Sequence, residues 1–211
     1  MQQYRLVICI DQEGLKQIYD AGMAVAIVKT VFVKPAPAAP LPVAWIVLRP
    51  LQQNEVAWTD DYGVYATKAE IAVGTTIVAI ADCSARSGWT YTYAAEVFSG
   101  SAGGPQDTIS VSNEQTEEPV SFGVSQRTNV NGSRALLPLN VAPVPAGRPL
   151  SFAPQEVVSI FLTPMLNSGV VLPEVPPNAP IVTLTPESSS VNIGFNNATW
   201  AFYEMGAPVS R

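Results

Sequence analysis

The sequence predicts an all-β protein made of two tandem, Ig-like β-sandwich modules, with Greek-key-type short strands and one short helix near residues 12–21. Three observations support this prediction. Short runs rich in Val, Ile, Thr, Tyr and Phe recur along the chain, nineteen prolines and fourteen glycines are spread between those runs, and one segment is duplicated. Many short strand-like runs divided by turn residues are typical of sandwiches and barrels.

Individual runs show the periodicity of a strand with one buried face. Trp89–Tyr93 and Val120–Val124 both repeat with a period of two residues, which places alternate side chains on opposite faces of a sheet. Asn131-Gly132 is a dipeptide that favours the two-residue turn of a hairpin. These patterns predict strands that are joined by tight turns.

Two segments do not fit this pattern of short strands and turns. Asp11 is a candidate N-cap for a helix in which Leu15, Ile18 and Tyr19 share one face and which ends near Gly22. A proline-rich stretch, residues 35–42, is unsuited to a central strand because proline has no N–H to donate to a neighbouring strand. We expect that stretch to lie extended on the surface or along an edge.

The duplicated segment predicts the two modules. Val43–Trp58 aligns without a gap with Val157–Leu172, and identical residues occupy the pairs 43/157, 46/160, 48/162, 50/164 and 56/170. A Trp-x-aromatic strand also recurs, and it predicts that Trp89 and Trp200 fill equivalent cores. Gly100–Pro105 has the composition of a flexible linker. The predicted modules are therefore residues 1–103 and residues 104–211.

Composition limits the classes of partner. Charged residues make up 13% of the chain, about half the usual share, and a surface with little charge associates readily. We therefore expect a homo-oligomer. The net charge is −6 and the eleven Lys and Arg residues form no basic run, so we expect no nucleic-acid partner.

The hydropathy of the sequence predicts the cellular location of the protein. No apolar run reaches the roughly 18 residues of a membrane span, so we expect no transmembrane segment. The N-terminal apolar run, Leu6–Ile10, is short and is followed by Asp11 and Glu13, which is unlike a signal peptide. We expect a cytoplasmic protein as translated, or one released by a route without a cleaved signal peptide.

The residue types present narrow the possible chemistry. The chain has no histidine, which excludes Ser-His-Asp and Cys-His mechanisms. Its two cysteines, Cys9 and Cys83, are too few for a zinc site and could form one disulfide or remain buried thiols. We expect no catalytic residues and no cofactor, with a bound Ca²⁺ ion as a minor alternative.

The candidate ligand-binding residues are Asp60, Asp61, Tyr62 and Tyr65, in a segment that has no counterpart in the second half. An aromatic face can cover the C–H surface of a sugar while carboxylates accept its hydroxyl hydrogen bonds. The same residues also suit an ordinary turn with solvated carboxylates, or a weak calcium site. We predict a loop in the first module that binds a carbohydrate or another small ligand.

The leading functional hypothesis is a non-enzymatic binding or assembly protein that self-associates and binds a glycan or a membrane-surface ligand. One alternative is a membrane-active, toxin-like β-protein. Another is a glycosidase that uses paired carboxylates such as Asp60 and Asp61.

The segment Val7-Ile-Cys-Ile-Asp-Gln-Glu13 resembles the start of bacterial inclusion-body proteins of the PixA/AidA type. The predicted two-module layout departs from the pattern of that family, so the resemblance assigns no role to any residue.

Overall fold

A computed structural model describes residues 2–36, 41–115, 120–144 and 146–206. Within these ranges the chain forms one helix and fifteen strands. In chain order they are β1 (Gln3–Cys9), α1 (Gln12–Asp20), β2 (Met23–Lys34), β3 (Ile46–Leu48), β4 (Gln53–Thr67), β5 (Ala81–Ala85), β6 (Trp89–Ala94), β7 (Val97–Ala102), β8 (Ile109–Asn113), β9 (Ser121–Val130), β10 (Ser133–Pro138), β11 (Ala142–Pro143), β12 (Pro149–Pro164), β13 (Ile181–Thr183), β14 (Ser190–Asn196) and β15 (Ala201–Glu204).

The strands form two sheets that pack together. The first sheet has the order β10-β9-β4-β1-β14-β15, with β5 also beside β4 and β11 also beside β9. The second sheet has the order β3-β2-β12-β8-β6-β7, with β13 also beside β12. Buried side chains from both sheets meet in one large hydrophobic cluster. The predicted all-β sandwich with one short helix is confirmed.

Each sheet combines strands from both halves of the chain. In the first sheet, β1 lies between β4 and β14. In the second sheet, β2 pairs along most of its length with β12. The predicted tandem duplication is not confirmed, because strands of residues 1–103 and 104–211 hydrogen-bond to each other and share a core. Local periodicity identifies a strand, but its partner depends on which distant edge completes its hydrogen bonds.

The duplicated segment retains one structural equivalence. Its two copies enter β3 and β12, which flank β2, and the matched residues Ile46 and Ile160 both lie opposite Ile27. After the proline that both copies share, Pro50 in the first and Pro164 in the second, the two copies have different structures. Val56 continues into β4 of the other sheet, whereas Val170 makes only an isolated bridge. The likeness therefore covers the strand beside β2 but not the following strand.

Trp200 does not occupy the predicted core position. Trp89 lies in β6 and packs against the main core, whereas Trp200 is 43% exposed and has a φ of 55° in the turn before β15. That turn reverses the chain from β14 into β15, and its geometry leaves the indole at the surface. The resemblance between the two segments is therefore one of sequence without equivalent burial.

The predicted linker is partly a strand. Gly100 lies in β7 opposite Tyr91 of β6. A Cβ atom on Gly100 would lie 2.8 Å from Cε1 of the Tyr91 ring. Gly100 therefore permits close packing of a ring on the backbone. The glycine-rich composition of residues 100–105 does not indicate a flexible linker at this position.

Several local predictions are confirmed. The Asp11 carboxylate accepts a hydrogen bond from Gly14 N at 2.7 Å and caps α1. Asn131 and Gly132 join β9 to β10 with φ angles of 51° and 89°, as a two-residue hairpin turn requires. Within the proline-rich stretch, residues 37–40 lie outside the described residues. The two cysteines are free thiols.

No helix in the described part of the chain has the length and apolar content needed to cross a membrane.

Candidate functional site

The segment predicted as a ligand-binding loop is the middle of a strand. Residues 60–65 continue β4 without a turn, and β4 pairs there with β9. The register shifts between two points: Trp58 lies opposite Thr128 and Tyr62 lies opposite Gln126. Four steps along β4 thus match two steps along β9, so β4 carries two extra residues. An irregularity of this kind interrupts pairing and re-aims side chains.

The strand places the four predicted site residues on opposite faces. Asp60 and Tyr62 line a cleft between the two sheets. Asp61 accepts a hydrogen bond from Arg127 Nε at 2.8 Å on the outer face of the first sheet. Tyr65 also lies on that outer face, where its hydroxyl donates to the Asn140 carbonyl. Because successive side chains of a strand alternate, the predicted group is divided between separate surfaces.

A second irregularity completes the cleft from the other sheet. Pro154 of β12 lies opposite Val31 of β2, whereas Val158 lies opposite Lys29, so β12 also carries two extra residues. Gln155 and Glu156 lie in this bulge. The resulting cleft has a volume of about 620 Å³. Its lining includes Asp60, Tyr62, Arg86, Asp107, Gln155 and Glu156.

Glu156 is held by three hydrogen-bond donors. Lys29 Nζ donates to Glu156 Oε1 at 2.7 Å and to Gln126 Oε1 at 2.9 Å. Trp58 Nε1 donates to Glu156 Oε2 at 2.6 Å, and the Tyr62 hydroxyl donates to Oε1 at 3.3 Å. The side chain of Lys29 is 0% exposed and that of Glu156 is 17% exposed. Glu156 is therefore a fixed carboxylate at the boundary between the core and the cleft.

Aromatic rings enclose the buried ammonium group. Lys29 Nζ lies 5.5 Å from the ring centroid of Trp45, 5.3 Å from that of Trp58 and 5.9 Å from that of Tyr62. An aromatic face attracts a cation, and the attraction is larger when water is excluded. These rings and Glu156 offset part of the cost of burying the charge.

Burial alters the protonation of these groups. Desolvation lowers the pKa of Lys29 to about 8, although the negative charge of Glu156 acts in the opposite direction. Desolvation, followed by repulsion from Glu156, raises the pKa of Asp60. The same two causes raise the pKa of Tyr62. The cleft therefore contains a carboxyl group, Asp60, that is easier to protonate than an exposed aspartate, close to Glu156 and its buried partner Lys29.

Lys29 makes stability depend on pH in the alkaline range. Its pKa falls from an ordinary 10.5 to about 8 on folding, so between these values the unfolded chain binds more protons than the folded chain. The free energy of unfolding must then rise with pH. The penalty for burying the charged ammonium is complete below about pH 8 and is relieved above it.

We expect this rise in urea titrations of the wild type between about pH 7.5 and 9.5, relative to the Lys29→Met/Glu156→Gln double variant. The two proteins have the same tyrosines and cysteines, so the comparison removes most of the contribution of these groups to the pH dependence. A constant difference between the two proteins over this range would contradict the proposed titration of Lys29.

The sequence interpretation missed most of the cleft. The sequence does not predict Arg86, Asp107 and Glu156, which line the cleft, or Lys29, which holds Glu156 from the core. Lys29 had a visible signal, because a single cation within the apolar run of β2 indicates a buried charge that needs a partner. Arg86 lies in the connection between β5 and β6, with its guanidinium 5.4 Å from the ring centroid of Trp89, and nothing in the local pattern marks it.

The described residues contain no group of three or more cysteine, aspartate or glutamate side chains arranged to hold a metal ion. Asp60 and Asp61 project to opposite faces of β4, so they cannot share one calcium ion.

No protein family model matches the chain, and comparison with curated proteins and with solved structures gives no match.

Proposed function

We propose that this chain is a non-enzymatic binding protein whose cleft binds a small, hydroxyl-rich ligand such as a carbohydrate unit. The observation that carries the proposal is the cleft of about 620 Å³ between the two bulges. Its volume is within the range of small-molecule sites. Its walls combine an aromatic ring, carboxylates and a guanidinium group.

The carboxylates match the hydrogen-bonding needs of such a ligand. The position of Glu156 is set by Lys29, Trp58 and Tyr62, so little side-chain freedom is lost when a ligand hydroxyl donates to it. Asp60 supplies a second acceptor from the wall that the first sheet contributes to the cleft. Preorganised acceptors favour neutral donors such as sugar hydroxyls over anionic ligands.

Arg86 and Tyr62 add two complementary features. The Arg86 guanidinium lines the cleft and lies over the ring of Trp89, 5.4 Å from its centroid, and its N–H groups can donate to ligand oxygens. The Tyr62 hydroxyl donates to Glu156, so the contribution of Tyr62 to ligand binding is its ring, which can pack on an apolar face of the ligand. A sugar ring presents both kinds of surface.

A glycan array tests the proposal, followed by calorimetric titration of a retained glycan. Asp60→Asn is expected to weaken binding roughly tenfold, as loss of a charged hydrogen-bond acceptor does. Asp61→Asn is the matched control because it changes the adjacent carboxylate, which faces Arg127 on the outer surface. We expect the control to bind as the wild type does.

Two results would overturn the proposal. One is an array on which the wild type retains no glycan. The other is an equal effect of Asp60→Asn and Asp61→Asn, which would place the ligand outside the cleft.

A glycosidase is the second candidate, and the raised pKa of Asp60 favours it. Burial and Glu156 raise the pKa of Asp60, and a pair of neighbouring carboxyl groups, one of them with a raised pKa, is the acid–base pattern of glycoside hydrolysis. Assays with chromogenic glycosides on the same variants separate the two functions. Turnover that is lost in Asp60→Asn would replace the binding proposal with the enzymatic one.

A further inference from the structure

A second cavity lies on the outer face of the first sheet, on the opposite side of β4 from the cleft. This outer slot has a volume of about 220 Å³, and its lining includes Tyr65, Ile77, Ala79, Asp82, Ser125 and Leu136. It shares no lining residue with the cleft. The slot is therefore a separate feature that the proposed function does not use.

The slot contains a buried hydroxyl group. Ser125 is 5% exposed, and its Oγ has no hydrogen-bond partner among the described residues. A buried polar group without a partner is destabilising, and a ligand that bonds to it removes this penalty. Gly63 lies beside it: a Cβ atom there would lie 2.7 Å from Ser125 Oγ. The glycine leaves space around the hydroxyl.

The walls around Ser125 are mostly apolar and fixed in place. The Tyr65 hydroxyl already donates to the Asn140 carbonyl, so Tyr65 contributes its ring to the slot. Ile77 is 8% exposed, and its backbone N–H donates to the Gly169 carbonyl at 2.9 Å. The segment that covers this face of the sheet is thus held by main-chain hydrogen bonds, and the slot is formed before any ligand binds.

Size and charge define the occupant. Apolar cavities of about 150 Å³ bind benzene, so a cavity of about 220 Å³ accepts an aromatic ring with one small substituent. The carboxylate of Asp82 lines the slot and repels anions. We propose that the outer slot binds a neutral, small aromatic alcohol, with its ring between Tyr65 and Leu136 and its hydroxyl bonded to Ser125.

Fluorine NMR titration of the full chain tests this proposal with 4-fluorophenol and, as an analogue without a hydroxyl group, 4-fluorotoluene. Ser125→Ala is expected to weaken 4-fluorophenol binding roughly fivefold and to leave 4-fluorotoluene unchanged. Ala79→Phe, at an exposed position on the slot wall, is expected to abolish binding of both probes. Ser101→Ala and Ala102→Phe make the same changes at exposed positions of β7 and are the matched controls.

The proposal is overturned if the wild type binds neither probe, if Ala79→Phe binds as the wild type does, or if Ser125→Ala keeps the preference for the phenol. Asp60→Asn should not alter binding of either probe. This result distinguishes the slot from the cleft, so the two proposals can fail independently.

Discussion

Replacement of Lys29 by Met is expected to lower the free energy of unfolding by about 3–5 kcal/mol, because it leaves Glu156 as a largely buried carboxylate without its cation. Met has a similar length and fills the space among Trp45, Trp58 and Tyr62, so loss of packing contributes little. The loss is electrostatic in origin. Urea unfolding at neutral pH, monitored by tryptophan fluorescence, measures it directly.

The double variant Lys29→Met/Glu156→Gln separates charge from packing. The amide introduced by Glu156→Gln would keep an acceptor for Trp58 Nε1, and Gln126 would keep its own bond from Nε2 to the Thr59 carbonyl at 2.9 Å. We expect the double variant to recover most of the stability lost in Lys29→Met, since replacing a whole buried ion pair is often neutral. A double variant as unstable as the single variant would show that the ammonium group itself, and not the unpaired charge, maintains the fold.

Gly123→Ala is the second change with a large expected effect. A Cβ atom at position 123 would lie 2.1 Å from the backbone oxygen of Asn140. The chain around Asn140 cannot retreat easily, because Leu139 N donates to the Val124 carbonyl at 2.8 Å and Val124 N donates to Asn140 Oδ1 at 3.1 Å. We expect a loss of about 3 kcal/mol in the free energy of unfolding, at the upper end of the overpacking range.

Two companion variants test the cause of that loss. Gly63→Ala places its Cβ 2.7 Å from Ser125 Oγ, a side-chain atom that can rotate away, so its cost should be smaller. Tyr65→Phe removes the hydroxyl that lies 2.6 Å from a Cβ at position 123. Added to Gly123→Ala, it should not restore stability, because the nearer backbone oxygen remains. Recovery in that double variant would assign the strain to Tyr65 instead of the backbone.

The lysine network also links stability to the cleft. Lys29 does not line the cleft, but it holds Glu156, which does. A variant that weakens ligand binding by moving Glu156 would therefore also lose stability. Asp60 makes no hydrogen bond to this network, which is why Asp60→Asn is the cleaner test of ligand contact.

Local features of the sequence determined the strand-rich class, the helix and one hairpin. The Asp11 cap acts on Gly14 three residues away, and the Asn131-Gly132 turn depends on two adjacent backbone conformations. The residue types in these segments are sufficient to predict such structures because their interactions span a few positions. Two of the residues chosen from the sequence as ligand-binding, Asp60 and Tyr62, line the cleft, and their binding role stays a prediction.

Only the tertiary structure decided which strands pair and what the cleft contains. Lys29 and Glu156 are separated by 127 positions, and they meet because β12 pairs with β2 along a shifted register. The bulge in β4 likewise depends on its pairing with β9. A repeat in the sequence suggested two sandwiches, yet each strand bonds to whichever edge completes its hydrogen bonds and buries its apolar face. Partner choice is a property of the whole chain, and here it joined the two halves into shared sheets.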